Sequence, residues 1–254
     1  MTLDPNASPV RGERALWLAC GILFVLAVGL PAIPQDPAYH DFADARTLLG
    51  VPNAFDVLSN VFFLAFGLAG LVLHARGRLR YVDHSMRAAG LLLFSGFVLT
   101  ALGSAYYHWQ PSDGRLLWDR LGMVVAFAGV LGMAANQRVS SRAGSLMLVL
   151  ALVAGVVSVA WFAATGSVTP YAVLQFGGIA LVAGLLWRTP RCIGPNWAAL
   201  IGAYAVAKAF EMADSQIDAI SAGVVSGHAL KHVVAAFAAL AVIVPMRARD
   251  PHPG

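Results

Sequence analysis

Eight apolar runs, each near the ~20 residues that a helix needs to cross the hydrocarbon core of a bilayer, take up most of this chain. They lie at 16–31, 54–74, 87–108, 116–136, 144–164, 168–188, 196–213 and 224–246. Only 12% of the 254 residues are charged and 59% are hydrophobic, where a soluble domain carries about 25% charged residues. Within lipid a backbone must satisfy its own hydrogen bonds, so runs of this kind predict helices. The expectation is an all-α integral membrane protein with no large soluble domain. The first run follows Arg11 and Arg14, a basic start that also suits a signal peptide. Its length, and the lack of a small-residue cleavage site before the acidic segment beyond it, favour a retained helix over 15–33.

Arginine placement orders these runs. Arg11 and Arg14, then Arg76, Arg78, Arg80 and Arg87, then Arg138 and Arg142, Arg188 and Arg191, and finally Arg247 and Arg249 fall in alternate connections. Twelve of the 17 basic residues therefore gather on one side when eight helices are counted. The positive-inside rule then puts both termini in the cytoplasm. The formal charge of +4 reports this orientation rather than nucleic-acid binding. Segment 34–54 is the long outer loop, rich in Asp and Pro. The third and sixth runs are rich in Gly and Ala, which suits close helix packing in lipid. Cys20 and Cys192 belong to different depths and predict no disulfide. The letters Phe42-Ala43-Asp44 are not evidence of a flavin.

Against this background a few polar residues recur at one level. Ser104 and His108 are four apart and share a helix face at the outer end of the third run. Asp119 is read at the opening of the next helix, and His228 and His232, again four apart, at the outer start of the last. A single histidine at a helix end is most often interfacial, and a His-x-x-x-His pair in a membrane helix serves metal, haem or packing alike. Three imidazoles, an Asp and a Ser at one depth favour metal. Three neutral imidazoles and a water form an open tetrahedral zinc site, in which the water's pKa falls towards ~7. Asp119 would take that proton and return it to a leaving amine. Ser104, one turn deeper, would donate to an oxyanion. His40, His74, His84 and His252 are expected to be solvated.

These residues resemble the alkaline ceramidase family, part of the wider group that includes the adiponectin-type receptors. The likeness rests on Ser104-Ala-Tyr-Tyr-His108, on Asp119 within Trp118-Asp119-Arg120, eleven residues after His108, and on Ser226-Gly227-His228-Ala-Leu-Lys231-His232. Pro52-Asn53-Ala-Phe-Asp56-Val-Leu-Ser59-Asn60 also looks like the family's entry into its first core helix. The resemblance implies a seven-helix core over 50–247, preceded by segment 1–49 with the added helix and outer acidic loop, and followed by tail 248–254. It implies zinc on His108, His228 and His232, with Ser104 and Asp119 assisting hydrolysis of a sphingolipid amide held in the bilayer. Animal members carry an acidic calcium-binding segment before the first core helix. Here Asn53 stands where a carboxylate is expected, so a helix N-cap is the reading for Asn53 and calcium is not the expectation.

Two further polar sets lie in apolar runs. Lys208, Glu211 and Asp214 step by three along the seventh run, and Lys208 with Glu211 reads as an intramembrane ion pair or as a headgroup contact. Asp56 and Asn60 share a face, where either could orient a zinc-bound histidine. Lys231 is expected to snorkel outward or to pair with a carboxylate. The sequence therefore predicts a zinc-dependent amidase acting on a ceramide-like lipid. Its rivals are a receptor with a structural or weakly hydrolytic zinc site, and a haem protein. Richness in Ala, Gly and Arg with only two lysines suits a bacterial inner membrane, with the zinc site towards the periplasm.

Overall fold

The computed structural model describes residues 9–248. Among the described residues every extended element is helical, and β-structure is limited to isolated bridges. The helices are α1 (Pro9–Gly29), α2 (Ala54–Leu58), α3 (Val61–Ala75), α4 (His84–Trp109), α5 (Asp113–Arg138) and α6 (Ser141–Thr165). They continue as α7 (Thr169–Leu185), α8 (Trp197–Met212), α9 (Asp214–Ile220), α10 (Gly227–Phe237) and α11 (Leu240–Met246). Six spans are long and apolar enough to cross a bilayer: α1, α2 with α3, α4, α5, α6, and α10 with α11. This is a multi-pass membrane protein. The runs at 168–188 and 196–213 form shorter helices of 17 and 16 residues. At 1.5 Å per residue they reach about 25 Å, short of a ~30 Å hydrocarbon core.

Helix α1 packs on α7, where Leu23 fills the space beside Gly177, and is exposed over most of its remaining surface. Leu18, Phe24 and Val28 are each 68% exposed, whereas Leu16 is buried, as expected of a span that meets lipid on most of its surface. The tightest packing joins α4 to α5. A Cβ built on Gly96 would lie 2.2 Å from the backbone nitrogen of Ala126, and one on Gly103 would lie 2.2 Å from the Trp118 carbonyl. From the other side, Gly122 meets the backbone of Thr100 and Gly129 that of Leu93. Glycines seven apart on both helices thus let the two backbones touch, the close approach that small residues permit in lipid.

At the basic end, Asp83 caps α4 by accepting from Met86 N at 2.9 Å, and Asn136 Nδ2 donates to the same carboxylate at 2.9 Å. Gln137 Nε2 donates to the Cys192 carbonyl at 3.0 Å, and Gln137 Oε1 accepts from Trp197 Nε1 at 2.5 Å. At the opposite end segment 30–53 lies across the bundle. It is pinned to the α6–α7 turn by Gln35 N to Gly166 O at 3.0 Å and Val168 N to Ile33 O at 2.8 Å. A short 3-10 turn, Pro37–His40, follows, capped by Asp36, which accepts from Ala38 N at 2.9 Å. Of the expected tail 248–254, all but Ala248 lies outside the described residues.

Candidate metal centre

Helix geometry sets the level of the site. His108 is one residue from the end of α4 and Ser104 five, while Asp119 lies six residues inside α5. In an antiparallel pair these offsets put Ser104 and Asp119 at one depth, roughly 9 Å below the helix ends, and the Ser104 hydroxyl lies beside the Asp119 carboxylate at the wall of one cavity. Asp119 therefore does not open its helix. The helix begins six residues earlier because Asp113 is tolerated in its first turn, where the helix dipole favours negative charge. Gly103, next to Ser104, allows the contact by letting α4 rest on the Trp118 carbonyl.

His108, His228 and His232 converge as the sequence predicts. All three are buried, and their ligand atoms lie within 4.8 Å of one another. The ring centroids form a nearly equilateral triangle with sides of 4.6, 4.8 and 5.0 Å. Nε2 of His108 and Nε2 of His228 face each other at 3.1 Å. Tetrahedral ligands at ~2.0–2.1 Å from a zinc ion stand about 3.3 Å apart, so the spacing suits a shared cation. His108 Nδ1 is buried with no hydrogen-bond partner.

One tautomer follows from the hydrogen bonds. Ser59 Oγ donates to the Asp56 carbonyl at 3.1 Å and lies 2.8 Å from His232 Nδ1. With its proton committed, Ser59 accepts from His232 Nδ1–H, which leaves the Nε2 lone pair for the cluster. Ser59 holds this histidine, not the Asp56 or Asn60 side chain that helical spacing suggests. The helix breaks between α2 and α3, and this turns Ser59 inward. Asp56 Oδ1 instead accepts from Ser226 Oγ at 2.8 Å, and Ser226 caps α10 through Ala229 N at 3.0 Å.

Segment 30–53 closes the centre. The Phe42 ring lies 4.6 Å from His108 and 4.4 Å from His228. His40 Nδ1 meets the Tyr107 hydroxyl at 2.8 Å, and His74 Nδ1 meets Tyr81 Oη at 3.1 Å. Neither is a solvated histidine, because each ring finds a phenol in the same fold. His252 lies outside the described residues. Asn53 adopts the left-handed region at φ 44° and makes no side-chain cap; its Nδ2 donates to the His108 carbonyl at 2.8 Å. The capping role passes to Asp44, whose Oδ2 accepts from Phe55 N at 2.7 Å and Asp56 N at 3.1 Å. Asp44 Oδ1 holds Arg46 Nε at 2.6 Å. The acidic segment is thus occupied by a guanidinium and by backbone amides.

A cavity of about 220 Å³ opens beside the triad, lined by Ser104, Asp119 and His232 and continued by Phe97, Met123 and Val182. Lys208, Glu211, Lys231, Arg120 and Tyr39 form its polar part. Glu211 pairs with Lys208 and with Lys231, the latter at 3.1 Å, so Lys231 pairs inward. Asp214 leaves this series by starting α9, where it accepts from Ala43 N at 3.0 Å and His228 N at 2.8 Å. Tyr39, from segment 30–53, is 41% exposed and brings a phenol to the mouth of this cavity. Sequence reasoning missed Phe42, Asp44, Ser59, Tyr39 and Arg120. For Tyr39, Phe42 and Asp44 the one signal was the Asp-rich loop before the first core helix, while Ser59 and Arg120 lie beside Asn60 and Asp119 and carried no signal of their own.

The chain matches no protein-family model and no curated protein.

Proposed function

We propose that this protein is a zinc-dependent membrane amidase that hydrolyses a ceramide-like lipid amide, as its resemblance to the alkaline ceramidases implies. The observation that carries the reading is the buried triangle of His108, His228 and His232, with one ring fixed by Ser59, beside a cavity holding Ser104 and Asp119. A zinc ion on the three imidazoles supplies Lewis acidity that makes water a nucleophile near neutral pH. Asp119 takes the proton from water as its oxygen adds to the acyl carbon, and gives it to the nitrogen as the C–N bond breaks. Ser104 is placed to donate to the oxyanion. The products are a fatty acid and a long-chain amine, and the apolar part of the cavity takes the acyl chain.

The proposed arrangement is a seven-helix core with α1 added outside it, in which α7 and α8 also cross the membrane. Both termini face the cytoplasm of a bacterial cell, and the zinc site faces the periplasm. Haem suits the site poorly, since axial imidazoles need a macrocycle between them and these rings converge on one point. A receptor with a structural zinc has one observation in its favour, the Phe42 ring closing the outer face of the triad.

Metal analysis of detergent-purified protein tests the reading. About one zinc per chain, lost in His228→Ala, with zinc-dependent release of fatty acid from a lipid amide, is the expected result. Zinc without turnover on any lipid amide points to the receptor, and absence of zinc from the wild type removes both readings.

A further inference from the structure

We propose that the lipid amide taken by this cavity has an anionic head, with a carboxylate close to the amide nitrogen, as in an N-acyl amino acid. The inference rests on the amidase reading and departs from it in the head, where an amino acid takes the place of the long-chain amine. Outside the histidine triad the polar part of the cavity holds three cations, Arg120, Lys208 and Lys231, against two carboxylates, Asp119 and Glu211. Glu211 is shared by the two lysines. One positive charge is left over, and an uncompensated charge is costly where the group that carries it is buried.

Arg120 is where that charge is least answered. It is only 5% exposed. Its Nη2 donates to Gln35 Oε1 at 2.7 Å, and its guanidinium lies over the rings of Phe162 at 4.3 Å and Tyr171 at 4.8 Å. Its Nη1 is buried with no hydrogen-bond partner. The two rings and Gln35 hold the planar group in place without neutralising it, which leaves an Nη1 donor for a carboxylate. A neutral diol head would leave this charge unpaired.

Position argues for a carboxylate near the scissile bond. Arg120 follows Asp119 directly, and both line the cavity. In an N-acyl amino acid the carboxylate carbon is two bonds from the amide nitrogen, the atom that Asp119 protonates. Tyr39, from the loop above, adds a phenolic donor to the same space. Hydrolysis adds the water oxygen to the acyl carbon and both its protons to the products, giving a fatty acid and a free amino acid.

Zinc-loaded full-length protein in detergent is tested on N-palmitoylglycine and N-palmitoylethanolamide, which share a chain and differ in head charge. The expected kcat/KM ratio is roughly 10- to 100-fold in favour of the glycine conjugate, the scale of one charge-assisted hydrogen bond. Arg120→Gln should bring the ratio close to one while zinc is retained, and Arg120→Lys should restore part of it. Equal or better use of the ethanolamide by wild type overturns the proposal, as does a ratio unchanged in Arg120→Gln. If neither lipid turns over, a ceramide assayed alongside decides the amidase reading, and equilibrium binding of the same two lipids decides the headgroup. Tighter binding of the glycine conjugate, lost in Arg120→Gln, supports the anionic site; equal binding removes it.

Discussion

The two sides of α5 are built by opposite rules. Towards α4, Gly96, Gly103, Gly122 and Gly129 bring backbone against backbone, with no space for even one added carbon. Towards α7, α8 and α10 the same helix turns Met123, Phe127 and Val130 to a cavity. The chemistry lies along the seam between them. Ser104, His108 and Asp119 stand on the closed side, while His228, His232, Lys231 and Glu211 come from the side that bounds the open space. A rigid half thus holds Ser104, His108 and Asp119 in register, and the looser half encloses an apolar cavity.

The strongest way to break this division is Gly103→Leu. The new side chain would drive α4 from the Trp118 carbonyl, at an expected cost of about 3 kcal/mol or more. Thermal unfolding in detergent should show that loss, and Ser104 should part from Asp119, so residual activity falls together with stability. Next comes Ser59→Ala, which removes the acceptor from His232 Nδ1. Zinc affinity should fall about 10- to 100-fold by competition with a chelator, with little change in melting temperature. A melting temperature that falls as much as in Gly103→Leu would mean that Ser59 serves packing rather than the metal.

Acid titration probes the far end of the closed half. Burial alone would raise the Asp83 carboxyl, but hydrogen bonds from Met86, Ser141, Asn136 and Ser85 outweigh it and hold its pKa below the usual value. Its stabilising effect is therefore complete above the unfolded value of about 3.9 and is lost as pH falls through the lower folded value. Unfolding measured from pH 6 downwards should show this loss in the wild type and a flatter profile in Asp83→Asn. The smallest effect is expected on the open half. A Cβ on Gly202 in α8 meets nothing within 4 Å, so Gly202→Ala should stabilise by about 0.5–1 kcal/mol or be neutral. Destabilisation there would mean that α8 packs as closely as α4 does.

Much of the site was legible because it depends on short spacings. Ser104 with His108, and His228 with His232, are helix-face relations that four-residue steps fix, and Asp119 lies one short turn away from the first pair. The same logic misplaced Asp56 and Asn60, because a break between α2 and α3 turns Ser59 inward instead. It also carried the seventh run through Asp214, which the fold assigns to α9 and to two backbone amides. Capping shows the difference most plainly. Asn53 after Pro52 reads as the cap of α2, yet Asp44, nine residues earlier, takes those amides, and Asn53 reaches the end of α4.

The sequence by itself determined the solvent and the secondary structure. Apolar runs nearly free of charge can satisfy their backbones in lipid only as helices, and hydropathy is additive along the chain. It also pointed to the three histidines that could hold a metal ion, since ligand types and helical steps are local. Tertiary structure alone decided that Ser59 orients His232, that Phe42 covers the triad, and that Arg120 is buried with one nitrogen unanswered. Those contacts join residues 85 or 173 positions apart, or depend on the course of a loop. No periodicity encodes such pairings. They exist only once the helices have packed.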